Sequence, residues 1–414
     1  MSLNWKILDE LSSHYGESFY LLDSRKFEQN YDDFLDAFRK LYTNTFIGYS
    51  YKTNYIPKLC SIIDEKGGYA EVVSEMEYDL AIKIGVAPNK IIVNGPSKSK
   101  SSLSKYLLKG SLVNIDSLTE TMIVEQIAKE NPDNNLNVGL RCNFKIIEGF
   151  VSRFGFDVSN SSFMEVFKTL HKIKNIYING LHCHFPNRDL ESYHLRVDKM
   201  LKLVGALFIK PPGFISVGGG YFGKMEYSLK EQFGGNIPEY HEYANTIATK
   251  MAKHFDEIPE ELKPKLFLEP GNAIVADTMK FVVQVTDIKT VRGSIIATTN
   301  GSRFNIGLLT SKINLPIKTY QSPFTKDKTN NKFSAINIAG YTCIEDDYLY
   351  KNYIGNLYIG DYVVFDNVGS YSFNFKPPFI LPNVAIINYD FENGCFEIVK
   401  RSETMEDVFS TFIL

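Results

Sequence analysis

Four kinds of chemistry-bearing residue stand at matching places in this 414-residue sequence, each just after an apolar, strand-like run. Lys52 follows Phe46-Ile47-Gly48-Tyr49-Ser50-Tyr51. His184 ends the run that starts at Ile176. Gly218, Gly219 and Gly220 follow Phe214 to Val217, and Glu269 follows Leu266 to Leu268. Other strand-end residues are Ser74, Asn94, Asp116 and Arg141. An amine captures an aldehyde, and a flat imidazole stacks on a ring. Consecutive glycines let backbone N–H groups approach a phosphate closely. A carboxylate pairs with a protonated ring nitrogen. Each feature alone is ordinary: strand-end lysines are mostly solvated, lone histidines mostly structural, and Gly-Gly-Gly or Glu-Pro-Gly mostly turns. Together, at strand ends, they suit an aldehyde carried on a phosphate-bearing ring, which is pyridoxal phosphate.

The elements that must position these residues alternate. Strand candidates are Phe46 to Tyr51, Tyr69 to Val73, Ile91 to Asn94, Leu112 to Ile115, Val138 to Cys142, Ile176 to His184, Phe214 to Val217 and Leu266 to Leu268. Helix-period stretches lie around them: Leu8 to Ser13, Phe27 to Leu41, Glu75 to Ile84, Leu118 to Lys129, Phe163 to Ile173, Leu190 to Leu207 and Tyr240 to Phe255. Eight strands alternating with helices predict a (β/α)8 barrel, whose chemistry sits at the C-terminal strand ends. A doubly wound sheet is the alternative, because alternation does not distinguish a closed sheet from an open one.

Beyond Pro270 helix patterns become scarce. Phe281 to Val285, Ser294 to Ala297, Ala335 to Ala339, Tyr362 to Phe365 and Val384 to Ile387 read as strands, and Asn393-Gly394 reads as a hairpin turn. The polar stretch Tyr320 to Lys332 reads as a loop. The expected organisation is an N-terminal segment 1–25, whose short strand Phe19 to Asp23 joins a β domain, then a barrel at 26–272 and an all-β domain at 273–414.

Composition sets bounds. A net charge of −3 argues against a nucleic-acid partner. No apolar run reaches the length of a membrane helix. Met1-Ser2-Leu3-Asn4-Trp5-Lys6 lacks the layout of a secretory signal, so the expected location is the cytoplasm. The five cysteines are scattered, with no CxxC, which suggests neither a disulfide framework nor a metal site.

The motifs also resemble a known family. Tyr49-Ser50-Tyr51-Lys52-Thr53-Asn54, Glu71 with Val73-Ser74 and Glu77, Arg153-Phe154-Gly155, Gly180-Leu181-His182-Cys183-His184, Gly218-Gly219-Gly220, Glu269-Pro270-Gly271, Gly340-Tyr341-Thr342-Cys343 and Gly369-Ser370-Tyr371 occur in family order. The chain resembles the fold-type III pyridoxal phosphate decarboxylases, the alanine-racemase-like group that includes diaminopimelate, ornithine and arginine decarboxylases.

The resemblance implies roles. Lys52 would bind the cofactor aldehyde, His184 would stack on the ring, and Glu269 would hold the ring nitrogen. The glycine triplet, Ser74 and Tyr371 would belong to the cofactor site. Cys343 would return a proton to Cα and would come from a partner subunit, implying a homodimer with shared sites.

The sequence departs from the family in places. The arginine expected after Glu-Pro-Gly is Asn272, Pro186-Asn187 replaces Gly-Ser, and Asn300-Gly301 replaces Asp-Gly. Ile344 follows the cysteine where an acid is expected, and Lys376-Pro377-Pro378-Phe379 replaces the usual run after the tyrosine. Acids return at Glu345, Asp346 and Asp347. With Asn272, these are the candidate substrate contacts. The pattern is closer to a side branch that includes the carrier-bound glutamyl decarboxylase of butirosin biosynthesis. The expected activity is decarboxylation of diaminopimelate or of a modified or conjugated amino acid. A racemase is disfavoured by the acid at the ring nitrogen, and a non-catalytic binding protein by retention of Lys52, His184, Glu269 and Cys343.

Overall fold

The computed structural model describes residues 3–307, 312–325 and 332–413. It divides into two compact units. One comprises Asn30–Phe222 and Ile237–Ala273; the other comprises Met1–Gln29, Gly223–Asn236 and Ile274–Leu414.

The first unit is the barrel. Its strands are β2 (Thr45–Ser50), β3 (Tyr69–Val72), β4 (Ile91–Val93), β5 (Leu112–Ile115), β6 (Leu136–Asn143), β8 (Ile176–His182), β9 (Phe214–Ser216) and β10 (Lys265–Leu268), with a two-residue β7 (Phe156–Asp157) beside β6. All neighbours pair in parallel, and pairing of β5 with β6 closes the ring, which excludes the open doubly wound sheet. Strands buried on both faces read as continuous apolar runs, which is why the sequence announces them.

The two ends of the barrel interior differ in chemistry. Tyr69, Ile92, Phe214 and Phe267 form a buried cluster with Phe46 and Leu112 packed against it, near the N-terminal ends of six strands. Two glycines make room for this plug. A Cβ at Gly139 would lie 2.7 Å from Phe214 Cζ, and one at Gly180 would lie 2.5 Å from Phe214 Cδ1. Above it, at the C-terminal ends, the buried side chains are polar: Ser50, Glu71, Asn94, Asn114, His182, Ser216 and Glu269.

The helix Lys100–Leu108 is absent from the sequence expectations. Its serine- and lysine-rich composition hides a buried face of Leu103, Tyr106 and Leu107, and Ser99 caps it by accepting from Ser102 N–H.

The second unit is a mixed β sheet. Its order is β15 (Tyr348–Asn356), β14 (Lys332–Ala339), β12 (Ser294–Thr299), β11 (Met279–Val291), β1 (Phe19–Leu22), β17 (Ala385–Tyr389), β18 (Phe396–Lys400). β16 (Tyr362–Phe365) pairs with β11 and with β13 (Ile317–Tyr320). The N-terminal strand sits inside the sheet, antiparallel to β11 and parallel to β17. Asn393-Gly394 lies between antiparallel β17 and β18, with Gly394 at φ +71°. Of the loop expected at Tyr320 to Lys332, residues 326–331 lie outside the described residues. Among the described residues, no helix is long and apolar enough to cross a membrane.

Candidate active site

Lys52 stands immediately past β2. The chain leaves the strand through a 3-10 turn, Tyr51–Thr53, and re-enters helix at Pro57, where a proline is favoured at the first turn. The turn is locked locally: Tyr49 Oη donates to Asn54 O at 2.9 Å, and Ile56 N–H donates to Asn54 Oδ1 at 3.1 Å. It also sits hard against the end of β10. Ser50 N–H donates to Pro270 O at 3.2 Å, and a Cβ at Gly271 would fall 2.0 Å from Thr53 Oγ1.

The amine of Lys52 pairs with Glu71 Oε2. Glu71 is a carboxylate inside a strand, 1% exposed, and its environment satisfies it. Ser50 Oγ donates to Oε2 at 2.6 Å, and Asn94 Nδ2 donates to Oε1 at 2.9 Å. Asn114 Nδ2 in turn donates to Asn94 Oδ1 at 2.7 Å. A buried carboxylate stands only when its lone pairs are met, and this relay across four neighbouring strands, with the part-buried Lys52, meets them.

Glu269 follows β10 and is also buried. Ser216 Oγ donates to its Oε1 at 2.8 Å, and His182 Nε2 lies 3.2 Å from its Oε2. Burial alone would raise this carboxyl. The charge and hydrogen bond of His182, with the charge of Lys52, outweigh that and hold it below the usual carboxylate range.

Between the ends of β8 and β9 lies the histidine–glycine contact. Gly219 N–H donates to His184 Nδ1 at 2.9 Å, so the ring proton belongs on Nε2. Burial, then the charge of Lys52, pushes the His184 pKa well down, leaving a neutral ring. The glycines are required. Gly218 has φ +72° and Gly220 φ +98°, and a Cβ at Gly219 would meet Glu269 O at 2.3 Å.

Ser74 caps the helix Glu75–Lys83 by accepting from Glu77 N–H at 3.2 Å, while Glu77 Oε2 accepts from Val73 N–H at 2.7 Å. The Glu77 carboxyl is pushed up to about 7, chiefly by burial; the Val73 bond opposes this, Glu71 adds to it and Lys52 subtracts. A carboxyl raised above its unfolded value favours the native state while protonated. That contribution is full below the unfolded value, near about 4.3, and is lost as pH rises through about 7. Glu77→Gln keeps an acceptor for Val73. It is expected to flatten the decline of Tm between about pH 5 and 8, gaining on the order of 2 kcal/mol at the upper end. A variant that follows the wild-type profile would show that Glu77 does not contribute this linkage.

Asn272 opens the short helix Asn272–Val275. In the β unit Cys343 is exposed. Tyr371 has φ +51°, rare for a side chain of its size. It follows Gly369, whose N–H donates to Ala276 O at 2.8 Å and whose added Cβ would lie 1.9 Å from Val275 O. Glu345 and Asp346 are exposed. Asp346 pairs with Arg303 at 2.6 Å and Lys351 at 3.0 Å. Asp347 is buried, and its carboxylate accepts from Ser302 Oγ, Arg303 N–H and Thr342 Oγ1 at 3.0, 2.8 and 2.6 Å. Its oxygens organise the turn.

Several residues here were not among the expected site residues: Ser50, Glu71, Glu77 and His182, which lay inside motifs without a role, Asn94, noted only as a strand end, and Asn114 and Ser216. His182 carried a signal, because residues two apart on a strand share a face and it stands two before His184.

The barrel end fits pyridoxal phosphate by the chemistry of its donors. It offers an amine on a turn, an ionised buried carboxylate, a neutral flat ring and a glycine loop that no Cβ could enter.

Comparison with known proteins agrees. The family model for the pyridoxal binding domain of pyridoxal-dependent decarboxylases matches residues 25–276, more than half of the chain. Diaminopimelate decarboxylase of Methanocaldococcus jannaschii is 24% identical over 425 residues, covering 98% of this chain and 93% of that protein. The L-glutamyl-(BtrI acyl-carrier protein) decarboxylase of Niallia circulans is 26% identical over 444 residues, covering 99% and 97%. A crystal structure of the M. jannaschii diaminopimelate decarboxylase matches with a TM-score of 0.85 at 21% identity, covering 98% of this chain and 94% of that one. With the barrel, its amine and its buried acids already in place, the match assigns this chain to the pyridoxal-dependent decarboxylases, carboxy-lyases that act on amino acids with pyridoxal phosphate.

Proposed function

We propose that Lys52, Glu71, His184 and Glu269 run the decarboxylation, and that the substrate is a modified or conjugated amino acid in preference to free diaminopimelate. The observation that supports the roles most is the pairing of two buried acids with different partners, Glu71 with the Lys52 amine and Glu269 with His182. Bound pyridoxal phosphate supplies an electron sink for the pair left on Cα when CO2 departs.

The chain's own groups do the rest. Glu71 exchanges a proton with the Lys52 amine, which must be neutral to attack a carbonyl carbon. Glu269, held ionised, would favour the protonated ring nitrogen by opposite charge. His184 would lie against the ring face, and Ser50 and Asn94 hold Glu71 in place. Cys343 returns a proton to Cα from a second copy of the chain, in a cytoplasmic homodimer, and Tyr371 and Ser74 complete the phosphate end. The shared-site arrangement follows the family that the β-unit motifs resemble.

The substrate reading starts at the distal end, since the α-carboxylate leaves. Diaminopimelate carries an amine and a carboxylate there. A buried charge left without its partner costs roughly 3–5 kcal/mol. Asn272 brings no cation and Ile344 no acid. Asp347 is consumed by its own turn, and Arg303 is paired with Asp346. The Niallia relative, named for a carrier-bound glutamyl substrate, is consistent with this. The diaminopimelate reading is favoured by the names of several relatives.

Side-by-side kcat/KM values for meso-diaminopimelate, lysine, ornithine and carrier-bound or amide-conjugated glutamate decide between them. A conjugate is expected to lead diaminopimelate by roughly 10²-fold, the scale of one unpaired charge. Diaminopimelate as the best substrate would overturn this reading.

A further inference from the structure

Among the described residues, Arg196 is one of the largest wholly buried side chains, at 0% exposure. It lies on the helix Leu190–Leu207, whose N-cap Asp189 accepts from Ser192 N–H. Among the described residues no carboxylate lies within ion-pair distance of its guanidinium. Its donors go almost entirely to backbone carbonyls. Nη1 donates to Gly219 O at 3.0 Å and to Val217 O at 3.4 Å. Nη2 donates to Asn187 O at 2.6 Å, Phe185 O at 3.1 Å and Ser192 Oγ at 3.4 Å. Nε is buried with no partner. The guanidinium also lies over the Tyr193 ring, 4.2 Å from its centroid.

A buried cation without an anion is costly, and a guanidinium cannot shed its charge by losing a proton. The bonds it makes show where that charge is directed. Val217 and Gly219 carbonyls flank the glycine loop on one side. Tyr193 Oη donates to Gly219 O at 2.9 Å, and Tyr221 Oη donates to Gly218 O at 3.1 Å. Three successive carbonyls of the loop are therefore tied down by Arg196 and two phenols. Across a planar trans peptide the N–H points away from the C=O. Of the N–H groups of these peptides, Gly218 donates to Ser216 Oγ at 3.3 Å and Gly219 to His184 Nδ1 at 2.9 Å, whereas Gly220 N–H, across the peptide whose carbonyl Arg196 and Tyr193 hold, is turned away from them.

We propose that Arg196 is a positioning residue for the cofactor phosphate: with Tyr193 it fixes the Gly219 carbonyl so that the Gly220 N–H faces outward, and it supplies the positive charge behind the loop. The phosphate dianion on the far side of the loop is the anion that this buried cation lacks. The proposal rests on the glycine triplet being the phosphate cradle. No direct contact between Arg196 and the phosphate is required, because the peptide dipoles of the loop carry the field.

The test compares two ligands that differ only in the phosphate. Dissociation constants of pyridoxal phosphate and of pyridoxal are measured by absorbance titration for apo wild type, Arg196→Lys and Arg196→Met, with Tm recorded for each. Arg196→Met is expected to weaken pyridoxal phosphate by about 30-fold or more and pyridoxal by less than about threefold, with Arg196→Lys in between. Equal losses for both ligands would mean that Arg196 only supports the fold and would overturn the proposal, as would unchanged binding of both. If Arg196→Met does not fold, Arg196→Lys and Tyr193→Phe decide by the same ratio. Each is expected to lose more affinity for the phosphate form than for pyridoxal, and equal or absent losses in both count against the proposal. The two failures are distinguishable. If the cradle reading itself is wrong, wild type fails to prefer pyridoxal phosphate over pyridoxal; if only the Arg196 inference is wrong, wild type keeps that preference and so do the variants.

Discussion

Lys52→Ala is expected to lower CO2 release by roughly 10³-fold or more, the scale seen when a covalent catalyst is removed. The purified variant should also lose the borohydride-reducible link to pyridoxal phosphate. Lys52 occupies a turn held from both sides, by the Tyr49–Asn54 bond and by the close approach of Gly271 to Thr53. The substitution also leaves Glu71 buried beside Ser50 and Asn94 without its cation. Some loss of Tm therefore accompanies it, and circular dichroism at the assay temperature separates lost chemistry from lost fold. Retention of activity within about tenfold of wild type, in a folded variant, would remove Lys52 from the mechanism.

Mixing two impaired proteins is expected to restore activity. Lys52→Ala and Cys343→Ala are each strongly impaired alone. In a homodimer with shared sites, a mixed pair contains one site with both wild-type groups. Random exchange makes half of the dimers mixed, so about a quarter of the wild-type sites return. Steady-state CO2 release before and after exchange measures this, with exchange itself followed by a tag on one partner. Full exchange with no recovery would place lysine and cysteine in the same chain or remove Cys343 from the reaction.

The barrel was legible because its strands are buried on both faces. Leu112–Ile115 and Leu190–Leu207 were read to the residue. Other ends shifted by one to three residues, as with Leu136–Asn143, where Leu136 stands alone between the polar Asn135 and Asn137. The antiparallel half was harder. β15 buries only Leu349 along Tyr348–Asn356 and is rich in tyrosine and asparagine, so it carries no apolar strand signal. β11 extends well past its apolar core because its second half, Asp287 to Val291, is polar and pairs only with β12.

The site divided in the same way. Lys52, His184, the glycines and Glu269 could be proposed from the sequence because their chemistry is local to a motif. His182, Ser216 and Asn114 were not, because their importance lies in bonds across strands that no linear spacing displays. Arg196 was hidden within an unremarkable amphipathic helix. Asp347 shows the opposite case: it read as a substrate contact because it is an acid near the cysteine, yet folding directs its oxygens to Ser302, Arg303 and Thr342.

The central claim is that the barrel end presents Lys52 to the cofactor aldehyde. Borohydride reduction of the purified protein loaded with pyridoxal phosphate, followed by proteolysis and mass spectrometry, tests it most directly. The cofactor mass should be found on the peptide containing Tyr51-Lys52-Thr53, at one equivalent per chain. Its appearance on another lysine, such as the buried Lys98, or its absence from every lysine, would contradict the account.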